Sequence, residues 1–79
     1  MEIKIAGTGC PKCKATERIV KEVVQELNVN VVVEHIYDPK EFMKMGVTLT
    51  PAVLIDDRIV IEGKVPSKEE VIEILNKVI

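Results

Sequence analysis

The chain opens on an alternating segment, a glycine-rich break and two cysteines, Met1-Glu2-Ile3-Lys4-Ile5-Ala6-Gly7-Thr8-Gly9-Cys10-Pro11-Lys12-Cys13. The alternation of Ile3 and Ile5 with polar neighbours predicts a short strand over residues 1–6. Pro11 suits the first position of a helix, because its missing N–H has no partner there. Cys10 is therefore expected at the mouth of a helix that follows a strand, with Cys13 one turn further in.

The apolar spacing after the cysteines predicts a helix from about Pro11 to about Leu27. Its expected buried side comprises Cys13, Ala15, Thr16, Ile19, Val20, Val23, Val24 and Leu27. Charged residues cover the other side, with opposite charges four residues apart in Glu17–Lys21 and Arg18–Glu22, and such pairs stabilise a helix slightly.

Residues 29–36 predict a second strand, and the valines at 31–33 suggest an interior strand covered on both faces. Asp38 is expected to cap a short helix that starts at Pro39, with Glu41 in the capping-box position. Gly46 is expected to end this helix.

The last third of the sequence predicts a hairpin followed by a helix. Strands are expected over residues 52–55 and 58–62, joined by a turn at Asp56-Asp57. Ser67 and Glu70 form a capping box, and the apolar stripe of the final helix is Val71, Ile74, Leu75 and Val78.

The predicted order is β-α-β-α-β-β-α, within one domain that spans residues 1–79. The first two strands should be parallel, because a helix long enough for a right-handed crossover joins them. The expected fold class is therefore α/β, a four-stranded mixed sheet with helices on both faces.

Composition excludes several classes of function. The net charge of −2 gives no electrostatic footprint for nucleic acid or an anionic membrane. No apolar run approaches the length of a membrane span, and no secretory signal is visible, so a cytoplasmic protein is expected.

Both cysteines lie in one tetrapeptide, and a bridge that closes so short a loop adds little stability. The pair therefore indicates redox chemistry or metal binding.

The position of the pair favours redox chemistry. The first N–H groups and the dipole of a helix stabilise a thiolate at its mouth, and Lys12 and Lys14 add positive charge nearby. The thiolate is the attacking species in thiol–disulfide exchange. Cys10 is therefore the expected nucleophile, and Cys13 is the resolving cysteine. A Cys-x-x-Cys motif next to a β-α-β pattern is typical of thioredoxin-like redox proteins.

The chain resembles the thioredoxin and glutaredoxin superfamily, and most closely its short archaeal and bacterial members known as small redox-active disulfide proteins. The resemblance rests on residues 9–13, on Thr50-Pro51 before the third strand and on the closing hairpin and helix. It implies a cis Thr50–Pro51 bond beside the cysteines, a Thr50 backbone that pairs with the partner, and supporting roles for Pro11 and Lys12.

The same resemblance implies a thiol–disulfide oxidoreductase that acts as a monomer on disulfide-containing proteins and is reset by an upstream reductase. No organic cofactor is implied, since the Cys10–Cys13 couple carries the electrons. The chain departs from the family pattern at Gly9, where thioredoxins have tryptophan, and at Lys4, where they bury an acid. Glu62-Gly63-Lys64 replaces the Gly-Gly pair with which glutaredoxins bind glutathione.

Two other functions stay open at this point. The cysteine loop is also similar to that of heavy-metal-associated domains, which would make Cys10 and Cys13 ligands of Cu(I) or another soft metal. A non-catalytic binding module on a thioredoxin fold is the other alternative. His35 is expected to be a packed or solvent-facing strand residue, and Tyr37 to line the partner groove or cap the sheet edge. Met43 and Met45 are expected to pack in the core or to face a partner, rather than to bind a metal.

Overall fold

The structure, a computed structural model, describes residues 1–78. Its strands and helices follow the predicted order: β1 (Glu2–Ala6), α1 (Pro11–Leu27), β2 (Val32–Ile36), α2 (Pro39–Lys44), β3 (Ala52–Ile55), β4 (Arg58–Glu62) and α3 (Lys68–Val78). The four strands form one sheet in the order β2-β1-β3-β4. Strands β1 and β2 are parallel, and the other two pairs are antiparallel. The predicted mixed sheet is therefore confirmed.

The sheet separates two apolar clusters, because successive strand residues point to opposite faces. Ile5 and Val53 pack with the buried sides of α1 and α3, whereas Ala6 and Leu54 pack with Phe42 of α2. Helices therefore cover both faces, as predicted. The first cluster contains Ile3, Ile5, Val20, Val23, Val53, Ile55, Ile61, Val71 and Leu75.

Strand β2 differs from its prediction. It begins at Val32, and it is an edge strand that pairs only with β1, so the expected interior position was wrong. The Val32 side chain is 61% exposed. Phe42 of the short helix α2 packs beside Ile36, the last residue of β2. The start of β2, where Val32 lies, is therefore left uncovered on its outer face.

Local signals in the sequence account for the element boundaries. Ser67 Oγ accepts a hydrogen bond from the Glu70 N–H at 3.1 Å, and Glu70 Oε1 accepts one from the Ser67 N–H at 3.2 Å, which confirms that capping box. Asp38 caps α2 by accepting a bond from the Lys40 N–H. Asp56 and Asp57 turn the chain with φ angles of 49° and 67°.

The strand register brings the cysteine loop and the Thr50-Pro51 segment together. Ala6 at the end of β1 lies opposite Ala52 at the start of antiparallel β3. The residues that follow Ala6 therefore meet the residues that precede Ala52 at the same end of these two strands. Within the described range 1–78, no helix has the length and apolar character needed to cross a membrane.

Candidate active site

Cys10 and Cys13 lie at the start of α1 with their Sγ atoms 3.1 Å apart. Cys10 is the N-cap residue, with an extended backbone conformation, and Pro11 occupies the first turn. The Cys10 side chain is exposed, whereas Cys13 is fully buried. Two thiols of the same helix turn therefore face different surroundings, and only Cys10 is open to a partner.

The two thiols have shifted pKa values of opposite sign. The hydrogen bond from the Cys13 thiol lowers the pKa of Cys10 most, and the backbone N–H groups of Cys13 and Lys12 lower it further. Burial raises the pKa of Cys13, and its hydrogen bond to Cys10 raises that pKa again. Deprotonation therefore occurs first at the exposed sulfur, which is the condition for a nucleophile.

Gly7 provides the surface against which Cys13 packs. A β-carbon at this position would overlap the Cys13 Sγ atom, so any larger residue would displace the thiol. The neighbouring Gly9 adopts a φ of 92°, a conformation that disfavours other residues, and this lets the loop turn into α1. The two glycines thus serve different purposes, close approach at Gly7 and backbone conformation at Gly9.

Thr50 and Pro51 lie beside this loop. The Thr50–Pro51 peptide bond is cis. The Thr50 β-carbon lies 4.0 Å from the point that a β-carbon on Gly7 would occupy. Pro51 is buried while Thr50 is exposed. The structure therefore brings Cys10, Cys13, Thr50 and Pro51 to one edge of the sheet.

Glu62, at the end of β4, holds the segment that leads to Pro51. Its Oε2 accepts hydrogen bonds from the N–H of Thr48 at 2.8 Å, from the Thr48 hydroxyl at 3.2 Å and from the N–H of Leu49 at 3.4 Å. The N–H of Thr48 lowers the pKa of Glu62 most, followed by the N–H of Leu49. The Gly63 N–H donates to the Pro51 carbonyl at 2.9 Å. Residues 62–63 therefore anchor the Thr48–Pro51 segment.

Lys12 and Lys4, two of the charged positions singled out in the sequence, differ in their relation to the cysteines. Lys12 is exposed, and its backbone N–H helps to lower the pKa of Cys10. Lys4 Nζ lies 2.9 Å from Asp57 Oδ1 in the β3–β4 turn. That turn is at the opposite end of β1 from the cysteine loop, because Ile3 pairs with Ile55. Lys4 therefore takes no part in the site.

His35 contacts the cysteine loop from behind, and Glu17 in turn contacts His35. His35 Nδ1 lies 3.1 Å from Glu17 Oε1, and Nε2 lies 3.1 Å from the Gly7 carbonyl oxygen. The imidazole also stacks on Tyr37, with ring centroids 3.9 Å apart and the planes 2° from parallel. The packed strand histidine is one of the two environments expected for His35, but its contact with the cysteine loop was not predicted.

Three contributors to the site, Gly7, Glu17 and Glu62, have no site role among the predictions from sequence. The sequence indicates Gly7 only as part of the break after the first strand, and Glu17 only as a partner of Lys21, from which it lies 4.0 Å away. Glu62 stands out in the sequence only as a departure from a glutathione site. A weak signal existed for Glu17, since it lies four residues after Cys13 and thus on the same side of α1.

The cysteine pair is the candidate metal site that the sequence leaves open. No group of three or more His, Cys, Asp or Glu side chains converges within residues 1–78. Two thiols alone suit a soft ion such as Cu(I) rather than a four-coordinate structural zinc. The observed element order β-α-β-α-β-β-α differs from the β-α-β-β-α-β order of heavy-metal-associated domains from the fourth element onward.

Comparison with known proteins agrees with this geometry. The family model of the thioredoxin domain matches residues 1–76. A thioredoxin of Methanocaldococcus jannaschii is 46% identical over 71 residues, covering 90% of this chain and 81% of the relative. A thioredoxin of Methanothermobacter thermautotrophicus is 37% identical over 76 residues, covering 96% of this chain and 99% of the relative. The chain therefore belongs to the thioredoxin domain family and is a thioredoxin-like disulfide oxidoreductase.

Proposed function

We propose that the protein reduces disulfides in partner proteins through the Cys10–Cys13 dithiol. The observation that carries this proposal is the asymmetry of the pair. An exposed thiol with a lowered pKa lies 3.1 Å from a buried thiol with a raised pKa. This arrangement suits one sulfur to attack a partner and the other to wait for the second step.

The exchange proceeds in two balanced steps. The Cys10 thiolate attacks one sulfur of the partner disulfide, so that a Cys10–partner disulfide forms and the other partner sulfur leaves as a thiolate, which takes up a proton. Cys13 then loses its proton and attacks the Cys10 sulfur, which releases the second partner thiolate. Two electrons pass from the dithiol to the partner, and a Cys10–Cys13 disulfide remains.

The surroundings of the cysteines support the docking of an extended partner segment. Thr50 is exposed beside the pair and Pro51 lies buried against the sheet, so Thr50 is proposed to pair with the partner backbone. Pro11 starts the helix, and Lys12 contributes its N–H to the thiolate. A reductase or another thiol carrier would return the disulfide to the dithiol. We further propose that the protein works as a cytoplasmic monomer without an organic cofactor.

Trapping of mixed disulfides tests the assigned roles. The Cys13→Ser variant should accumulate a covalent adduct with a disulfide-containing model protein such as insulin, because the resolving thiol is missing. The Cys10→Ser variant should form no adduct, since Cys13 is buried. Non-reducing electrophoresis and mass spectrometry measure both. Adducts on Cys13 in the Cys10→Ser protein would contradict the assignment.

Binding of a soft metal is the alternative outcome. The reduced protein would then take up one equivalent of Cu(I) through Cys10 and Cys13 and show little disulfide exchange. A competition between the reduced protein and a Cu(I) chelator, run beside the insulin assay, separates the two functions. Exchange activity together with weak Cu(I) binding supports the oxidoreductase.

A further inference from the structure

His35 is a buried titratable residue that the two exchange steps leave without a role. Its side chain is only 4% exposed, although it belongs to the edge strand β2. Histidine is usually intermediate in burial, and a buried polar side chain is stable only when its nitrogen atoms have hydrogen-bond partners. Both ring nitrogens have one here, and neither partner comes from a neighbouring residue in the sequence.

The hydrogen-bond partners fix where the ring carries its proton. The Gly7 carbonyl oxygen can only accept, so Nε2 must be the donor across the 3.1 Å contact. Nδ1 lies 3.1 Å from the Glu17 carboxylate, and the hydrogen bond between them requires a second proton, placed between these two groups. Glu17 therefore orients the ring so that its Nε2–H points at the cysteine loop.

The Gly7 peptide connects this histidine to the resolving thiol. Cys13 packs against the α-carbon of Gly7 so closely that no β-carbon fits between them. The carbonyl of the same residue is the acceptor of the His35 bond. A rotation of the Gly7 peptide would therefore have two effects at once. It would break the hydrogen bond from His35, and it would change the surface against which the Cys13 sulfur packs.

Tyr37 supports the other end of the same loop. Its ring stacks on His35. Its Cε1 atom lies 3.4 Å from the point that a β-carbon on Gly9 would occupy, and Gly9 directly precedes Cys10. The His35–Tyr37 stack thus contacts the loop at Gly7 and at Gly9. The loop is held from β2 and, through Glu17, from α1, which is the helix that carries both cysteines.

We propose that His35 is a positioning residue for the second exchange step: its Nε2–H holds the Gly7 carbonyl and thereby keeps Cys13 aimed at the Cys10 sulfur. His35 touches neither sulfur, so it acts through Gly7 and is not a catalytic residue. The inference rests on the proposed exchange function, because only a resolving step gives the aim of Cys13 a consequence.

Two matched substitutions separate the two hydrogen bonds of the ring. In His35→Gln, the longer side chain places an amide N–H near the position of Nε2 and keeps the bond to Gly7. In His35→Asn, the shorter side chain reaches towards Glu17, as Nδ1 does, and leaves the Gly7 carbonyl without a donor. Both variants lose the imidazole and its stack on Tyr37. His35→Asn keeps the contact with Glu17 that His35→Gln lacks, so a slower second exchange step in His35→Asn reports the bond to Gly7.

The readout is the two-phase reaction of the reduced protein with the aromatic disulfide dithiobis-nitrobenzoate. The attack of Cys10 releases one coloured thiolate, and the attack of Cys13 on the adduct releases a second. At high reagent concentration the first phase becomes faster than the second, whose rate does not depend on concentration. A general loss of stability does not favour one phase in this way.

We expect His35→Asn to slow the second phase about threefold or more relative to His35→Gln, the effect of losing a typical hydrogen bond, with an unchanged first phase. Equal second phases in the two folded variants would overturn the inference. A wild-type protein that released no second thiolate would instead overturn the exchange function itself.

Glu17 gives a second test in case His35→Asn fails to fold. Glu17→Gln can donate its amide to Nδ1, which leaves the proton on Nε2 and should preserve the second phase. Glu17→Leu removes the group that orients the ring and should slow the second phase without changing the first. A second phase in Glu17→Leu equal to that of Glu17→Gln would count against His35 as a positioning residue.

Discussion

The thiols of Cys10 and Cys13 lie 3.1 Å apart, and once Cys10 is a thiolate the buried Cys13 thiol is the donor of the hydrogen bond between them. This hydrogen bond is the main cause of the lowered pKa of Cys10, because a donated bond stabilises the thiolate that accepts it. Burial raises the pKa of Cys13 most, and the hydrogen bond raises it further, because the bond disfavours loss of the donated proton. Cys13 therefore has two successive roles in the proposed exchange. It first activates Cys10 as a donor, and it later attacks the sulfur that it activated.

Removing the donor should raise the pKa of Cys10. In Cys13→Ala no side chain donates to the Cys10 thiolate, whereas in Cys13→Ser a hydroxyl takes that place. We expect the pH midpoint of Cys10 alkylation to move upward in Cys13→Ala and to stay closer to wild type in Cys13→Ser. The rate of reaction with iodoacetamide across pH measures both. Identical midpoints in the two variants would show that the thiol donor is not the main cause.

The side chain of Lys12 should matter less than the Cys13 thiol. It is exposed, where charge interactions are weakened by water and salt, and it is the backbone N–H of Lys12 that lowers the pKa of Cys10. Lys12→Ala keeps that N–H and should move the alkylation midpoint less than Cys13→Ala does. A larger shift in Lys12→Ala, reduced by added salt, would assign the activation to the ammonium group.

Gly7→Ala should disrupt the packing of the resolving cysteine. The added methyl group overlaps the Cys13 sulfur, and overpacking of this kind costs about 1–3 kcal/mol of unfolding free energy. The double variant Gly7→Ala with Cys13→Ala removes the overlapping atom. We therefore expect chemical denaturation to show that the double variant loses less unfolding free energy than the two single variants lose in sum. Additive losses would mean that the cost arises elsewhere.

Glu62 should make the Thr48–Pro51 segment sensitive to acid. The lowered pKa of Glu62 means that its stabilising contribution is fully present above the pKa of an unfolded glutamate, about 4.3. This contribution is lost as the pH falls through the still lower pKa of the folded state. Glu62→Gln should therefore lower the melting temperature at neutral pH, and the difference from wild type should shrink in acid.

The control for Glu62 is Glu34→Gln, which neutralises an exposed carboxylate of β2. It changes the net charge equally but leaves the bonds to Thr48 and Leu49 intact. Its melting temperature should differ little from wild type across the same pH range. Parallel curves for wild type and Glu62→Gln from neutral to acid pH would contradict the role of Glu62 as an anchor.

Most of the fold could be predicted because its signals are local. The alternation of Ile3 and Ile5, the capping box of Ser67 and Glu70, and the turn at Asp56-Asp57 each act within a few residues. The position of β2 could not be predicted in this way. A run of valines such as residues 31–33 is compatible with a strand that is covered on both faces. It is equally compatible with an edge strand that leaves one face exposed, as at Val32.

The site was predictable only in part for the same reason. The spacing of Cys10 and Cys13 and their place after a strand favour a redox pair over a metal site, and both residues can be picked out from the sequence alone. The bond from His35 to Gly7 depends on the parallel register that sets Ile5 opposite His35, and the sequence does not specify that register. Glu62 likewise reaches Thr48 only because the β3–β4 hairpin folds back on the preceding loop.

A redox titration of the metal-free protein tests the central proposal most directly. The protein is equilibrated in graded dithiol buffers and quenched with an alkylating agent, and the modified thiols are counted by mass. We predict a reversible two-electron transition between the dithiol and a Cys10–Cys13 disulfide, within the span of about −120 to −270 mV found for Cys-x-x-Cys proteins. A protein that formed no reversible disulfide between these two cysteines in that range would contradict the proposal.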